Sequence, residues 1–246
     1  MIFFFFFLFL SKVWGQDVLA TKGFQSFSHS LPDATKSDSS SITVIVGNVG
    51  ATRKGDERLR VLHKNVALSF FDYEKIPQSI LTMAVNNGHC LFLTLSVPVP
   101  LEGLSNPTAF REAVDSERLA DWQKLGPTFK GILLSHGYYG DEKTLKPILD
   151  YAAQNNQTVV FPEPQMDIKK ICDQAKATCV VGHVLVTQKD TQEQLEKKLK
   201  KAEDLSKIFG HIILTVHAND ILFEHVRQWL ESLKEKNITL QTFSTN

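Results

Sequence analysis

The sequence predicts an α/β chain folded as a single irregular (β/α) barrel of seven or eight mostly parallel strands. Three observations predict it. Short apolar, β-branched runs recur eight times between Ile42 and Phe243, helical stretches separate most of them, and 246 residues at 43% hydrophobic content suffice for one full core. Continuous apolar runs of this length mark strands buried on both faces. Alternating β and α units imply parallel strands with right-handed crossovers, and eight candidates favour a barrel over an open doubly wound sheet.

The chain opens with a Phe/Leu run from Ile2 to Leu10, followed by Ser11 and Lys12. As a helix this run reaches roughly 14 Å, about half the hydrocarbon core of a bilayer, so it is too short to span one. It fits the apolar centre of a secretory signal, with small residues for cleavage near Gly15 or Ala20. A basic segment ahead of the run is missing, which leaves a short uncleaved N-terminal anchor as the rival reading. Residues 1–20 are thus expected to be signal or anchor, with export to the periplasm or beyond. Residues 21–40, rich in Ser, Thr, Asp and Lys, read as a flexible linker, and 41–246 as the folded domain.

Within that domain the expected strands are Ile42 to Val46, Val66 to Phe71, Cys90 to Leu95, Gly131 to Leu134, Thr158 to Phe161, Cys179 to Val186, Ile212 to Val216 and Ile238 to Phe243. Between them, Pro77 to Gly88 begins with proline and stops at glycine, as helices prefer. Thr144 to Gln154 carries Leu145, Ile148, Leu149 and Ala152 on one face. Thr191 to Phe209 is the clearest helix: a Thr191/Gln194 capping box, an apolar stripe of Leu195, Leu199, Ala202 and Leu205, then Gly210. Phe223 to Lys236 turns Val226, Trp229, Leu230 and Leu233 inward. Pro98 to Phe129 breaks the rhythm, and a helix around Phe110 to Leu125 is expected there.

Composition removes several function classes. Basic and acidic residues balance at 27 each, so the field that nucleic-acid binding needs is missing. The basic run Lys197 to Lys201 is interleaved with Glu193, Glu196 and Glu203, as on a solvated helix face. There is no dinucleotide fingerprint, no phosphate-binding loop and no serine-hydrolase elbow. Of three cysteines, Cys172 and Cys179 are close enough to pair across a helix-to-strand turn, while Cys90 reads as a buried apolar residue. No C-x-x-C pair suggests a zinc knuckle. Sequons at Asn156 and Asn237 matter only in a glycosylating host.

Parallel α/β folds place ligands at the carboxyl ends of their strands. Those ends carry Asn48, Asp72 with Tyr73, Thr94 with Ser96, His136, Glu163, Asp190 and His217. Two histidines and a carboxylate at one rim are able to hold a divalent metal and activate a water. The plainer alternative is that strand-end polar residues only cap solvated loops, and the sequence leaves both open. His183, inside an apolar run, reads as a core histidine, and His89 as a partner for the end of the preceding helix.

In order and spacing, these segments resemble the divergent polysaccharide deacetylases of bacterial envelopes. Ile42 to Gly50 is similar to that family's opening strand, which usually ends Asp-Asp-Leu-Gly, and Val66 to Tyr73 to its second strand. Asn87-Gly88-His89 and the strand to Leu95 resemble its Gly-His-Glu segment. Gly131 to Gly140 resembles the strand before its Asn-His-Met-Gly motif, with His136 at the histidine. Gly210 to His217 and the later Trp229-Leu230 resemble its Gly-His-Pro strand and Trp-Leu helix.

The resemblance implies a distorted barrel related to metal-dependent carbohydrate deacetylases, exported, and acting on a carbohydrate or peptidoglycan-like glycan. It implies a divalent metal, zinc first, on His136, His217 and Asn48, with Glu163 and Asp72 as the carboxylates left to serve catalysis. The chain also departs from the pattern. Gly47 and Asn48 stand at the paired Asp positions, Thr94 at a histidine, Pro162-Glu163 at an Asp-Ser pair and Gly182-His183 at an Arg-Asp pair. An asparagine amide can offer oxygen to a metal but cannot accept a proton from water. The expectation is therefore a glycan deacetylase with degraded carboxylates, or a non-catalytic glycan-binding or assembly protein on the same barrel, with an envelope protein as a further partner.

Overall fold

A computed structural model describes residues 39–49, 59–71, 78–95, 129–135, 142–164, 168–217 and 220–244. The expected helix around Phe110 to Leu125 lies outside them. Among the described residues the order is β1 (Ser40–Val49), β2 (Ala67–Phe71), α1 (Gln78–Asn86), β3 (Leu91–Leu95), β4 (Gly131–Leu134), α2 (Glu142–Gln154), β5 (Thr158–Phe161), α3 (Ile168–Ala175), β6 (Thr178–Val181), β7 (Val184–Val186), α4 (Gln192–Phe209), β8 (His211–Val216), α5 (Asp220–Ser232) and β9 (Ile238–Leu240). None of these helices is long and apolar enough to cross a membrane.

The strands pair in the order β6-β5-β4-β3-β2-β1-β8-β7, all parallel, with β9 added to β1. This is the curled, barrel-like α/β sheet that the sequence predicts. Its curl follows from one short connection. β6 and β7 stand at opposite ends of the strand order, yet only Gly182 and His183 separate them in the chain. Three steps between successive Cα atoms reach at most about 11 Å, so the sheet must bend until its two edges approach.

The run from Cys179 to Val186, expected as one strand, is therefore two. β6 pairs with β5 and β7 with β8. At the crossing, Gly182 N–H donates to Phe161 O at 2.7 Å, and His183 N–H donates to Ile213 O at 2.8 Å. A Cβ on Gly182 would stand 2.5 Å from the Pro162 carbonyl oxygen, so this close passage requires glycine.

Inside the curl, Ile45, Ala67, Phe92, Leu133, Val160 and Ile213 come from six strands and pack with Phe243 as one apolar cluster. Phe243 follows β9 and meets Phe92 edge-on, ring centroids 4.8 Å apart. Alternate strand residues such as Val44, Leu68, Ile132, Val159 and Leu214 are equally buried, as are Ala84, Ile148, Leu195 and Val226 of the helices. Burial of both sheet faces explains why the strands read as unbroken apolar runs.

The helices bear out their sequence signals. Thr191 caps α4: Gln194 N–H donates to its hydroxyl, and Gln194 Oε1 accepts from Thr191 N–H. Such a cap contributes about 1 kcal/mol. α5 ends at Ser232 rather than Lys236, because a turn through Asn237 (φ 58°) redirects the chain into β9. Cys172 of α3 and Cys179 of β6 form the disulfide that their spacing allowed.

Candidate functional site at the mouth of the barrel

β1 carries an irregularity where the resemblance places a carboxylate pair. Val46 pairs with Leu68 and Val49 with Phe70, so Gly47 and Asn48 together oppose the single residue Ser69. Two residues against one make a bulge, which bends a strand and re-aims its side chains. On the other side β8 stays in register through Val46 and Val216, which sets Gly47 beside His217.

His217 sits one residue past β8. Its N–H donates to Val186 O at 2.8 Å, continuing the ladder with β7 and fixing its backbone. The side chain is buried, and its ring occupies the space over Gly47. A Cβ built on Gly47 would lie 2.6 Å from His217 Cε1, 2.8 Å from Nδ1 and 3.0 Å from Nε2. A ring pointing its tip at Gly47 would hold both nitrogens farther away, so the imidazole covers the glycine with its face.

Side chains two residues apart on a strand share a face. Ser69 and Thr94 follow the core residues Ala67 and Phe92 by two and so continue the inner face toward the mouth. Their hydroxyls are hydrogen-bonded at 2.7 Å and buried. Thr215, fully buried, lies one layer below His217. The inner face at the ends of β2, β3 and β8 is thus built of hydroxyls and an imidazole, groups that donate and accept hydrogen bonds.

The other expected site residues divide. Asp72 and His136 lie outside the described residues, as does the side chain of Asn48, whose backbone belongs to the bulge. Glu163 lies two residues past the end of β5 and is half-buried between Pro162 and Pro164. Asp190 is committed elsewhere: its Oδ2 accepts from Thr187 N–H at 2.7 Å and from Lys198 Nζ at 2.6 Å. Burial pushes its pKa up, but Lys198 and Thr187 outweigh that and hold it below the usual carboxylate range. It closes the turn ahead of α4, which is the plainer of the two sequence readings.

Other histidines serve the frame. His89 meets the end of α1, as its position in the sequence implies, through its N–H, which donates to Ala84 O at 3.1 Å. Its ring Nδ1 reaches the Val66 carbonyl at 2.9 Å and ties this turn to the residue ahead of β2. His211 Nδ1 contacts Ser41 Oγ at 2.9 Å, at the opposite end of β8 from His217. His183 belongs to the sheet closure, where its Nδ1 accepts from Ile213 N–H. Burial, and then the neighbouring His211, lowers its pKa to about 4.

For a metal, the described donors are incomplete. His217 is a suitable ligand type, but Gly47 offers none, and no three His, Cys, Asp or Glu side chains converge among the described residues. The sequence reading missed Ser69. A lone hydroxyl at an inward position of the apolar run Ala67-Leu68-Ser69-Phe70-Phe71 was the available signal. Gly47 as the seat of an imidazole had no local signal, because its neighbour lies on β8.

Comparison with known proteins bears on this geometry. A family model described as divergent polysaccharide deacetylase matches residues 44–245. No curated protein matches the chain. An uncharacterized protein of Agrobacterium tumefaciens C58 superposes with a TM-score of 0.68 at 16% identity, over 83% of this chain and 87% of that one. A protein of Enterococcus faecalis V583 named "putative cellobiose-phosphate cleavage protein" gives 0.56 at 10% identity, over 83% and 97%. At these identities the likeness is one of fold.

Proposed function

Because this chain belongs to the divergent polysaccharide deacetylase family, with the carbohydrate-related function that membership carries, we propose that it recognises an envelope glycan at the carboxyl-end mouth of its barrel. One observation carries the proposal: the hydrogen-bonded hydroxyls of Ser69 and Thr94 and, across β1, the His217 imidazole over Gly47 share the inner face at the same end of the sheet. Directional donors and acceptors suit the hydroxyl and N-acyl groups of a peptidoglycan-like polymer. An envelope protein that presents such a glycan is the partner we infer.

Export is part of this reading. The apolar run from Ile2 to Leu10 and the bond between Cys172 and Cys179 both favour an oxidising, exported setting. We infer that residues 1–20 act as signal or anchor, 21–40 as a tether and 41–246 as the barrel.

A second reading, metal-assisted deacetylation, is favoured by a buried histidine at the rim and by Glu163 at the end of β5. His217, with His136 and Asn48, would then hold a divalent metal, zinc first, which polarises an acyl carbonyl and lowers the pKa of water. Glu163 or Asp72 would take the proton. Against it stands Gly47, which leaves neither a ligand nor a base at the inner position of β1.

The test is to incubate the protein, with and without zinc, with tri-N-acetylchitotriose and with purified peptidoglycan. Saturable retention without acetate release supports recognition. Zinc-dependent acetate release moves the assignment to the second reading, and the absence of both retention and release would remove both readings.

A further inference from the structure

We propose that Gly47 is the positioning residue of the mouth: its missing side chain seats the His217 imidazole, so that positions 47 and 217 form a single slot. Either the imidazole or a side chain at 47 fills that slot, never both. The functional part of this inference rests on the mouth being the working site; the geometric part does not.

The distances leave little room. Cε1 at 2.6 Å and Nδ1 at 2.8 Å from where a Cβ on Gly47 would stand are closer than real Cβ contacts come, and Nε2 at 3.0 Å is tight as well. The flat ring is stiff. Its backbone is held by Val186 O, and β1 is locked to β8 from Ser41–His211 through Val46–Val216. Neither strand is able to retreat without breaking that ladder, so relief requires the ring to leave its rotamer. Alanine excludes the ring as surely as aspartate does, because the conflict begins at Cβ.

The bulge gives the exclusion its use. Gly47 and Asn48 oppose Ser69 alone, so the slot lies between the hydroxyl pair Ser69–Thr94 and β8. A ring stacked by its face keeps its in-plane nitrogens off the β1 backbone and along the rim. Gly47 thereby decides which group the mouth presents on that side, and a ligand meets imidazole there.

The experiment compares wild type, Gly47→Ala, His217→Ala and the double variant, all labelled with ¹³C-histidine. The His217 ring signal is assigned by its loss in His217→Ala. In Gly47→Ala that signal should move, Tm should fall by about 5 °C, and retention of tri-N-acetylchitotriose should weaken at least tenfold. In the His217→Ala background the same glycine substitution should cost little further Tm. An equal Tm loss in both backgrounds, with an unmoved His217 signal, would overturn the proposal. If Gly47→Ala does not fold, removal of the ring should restore folding, and failure to do so also overturns it. Should wild type retain no saccharide, the glycan reading fails alone, and the coupling between positions 47 and 217 still decides this one.

Discussion

His183 grips Ile213 twice, its N–H donating to the Ile213 carbonyl at 2.8 Å and its Nδ1 accepting from the Ile213 N–H at 3.1 Å. A ring nitrogen thus stands in for a strand carbonyl at the point where the sheet curls round and changes neighbours. The second bond exists only while Nδ1 is unprotonated. Burial, then His211 on the adjacent strand, lowers the His183 pKa from 6.5 to about 4. The folded state therefore selects the neutral ring. Its stabilisation is full above the unfolded value and is lost as pH falls from 6.5 through about 4.

Urea unfolding of wild type and His183→Gln should show this. Between about pH 7 and about pH 4, the wild type should lose on the order of 1–3 kcal/mol more than the variant. Parallel pH curves would mean that the grip does not titrate. His211, whose pKa is also lowered by burial, titrates in both proteins, so its own burial is common to them and only its coupling to His183 enters the difference.

The disulfide joins residues seven apart and ties α3 to β6, one of the two outermost strands. Closing so short a loop in the unfolded chain is worth about 2–3 kcal/mol. A Cys172→Ala/Cys179→Ala variant should lose about that much by urea denaturation, and dithiothreitol should affect wild type alone. Of the three cysteines only Cys90 remains a thiol, and burial raises its pKa to about 11 against the pull of Lys130. Thiol titration near neutral pH should count one group after unfolding and only slow reaction before it.

Glu203 is a buried carboxylate whose Oε1 accepts from Trp229 Nε1 at 2.8 Å and from Lys236 Nζ at 2.6 Å. It joins α4 to α5 and to the turn that leads into β9. Glu203→Ala leaves the buried Trp229 indole N–H without its acceptor and releases the half-exposed Lys236 to water, and should cost about 2–3 kcal/mol. Trp229→Phe, which removes one hydrogen bond and leaves the Lys236 pairing, should cost about 1–2 kcal/mol. Equal small losses in chemical denaturation would make this pairing incidental.

The central strands were legible because burial on both faces leaves no polar residue to blur them: β3, β4 and β5 fall where the apolar runs fall. The capping box of α4 was legible for the opposite reason, since all its partners are local. Features made by distant strands were not. The split at Gly182–His183 hides inside one apolar run, and only the change of partner from β5 to β8 reveals it. Asp190 stands at a strand end in the sequence, but it pairs with Lys198, nearly two turns into the next helix. The meeting of Gly47 and His217 depends on β1 and β8 lying side by side, which no window of sequence displays.

The measurement that tests the central claim most directly is a ¹H–¹³C histidine spectrum of the protein titrated with tri-N-acetylchitotriose. Recognition at the mouth predicts a saturable shift of the His217 ring signal, with the His89 and His211 signals unmoved. A titration that leaves His217 in place, or shifts all the histidines alike, would contradict a glycan site at this end of the barrel.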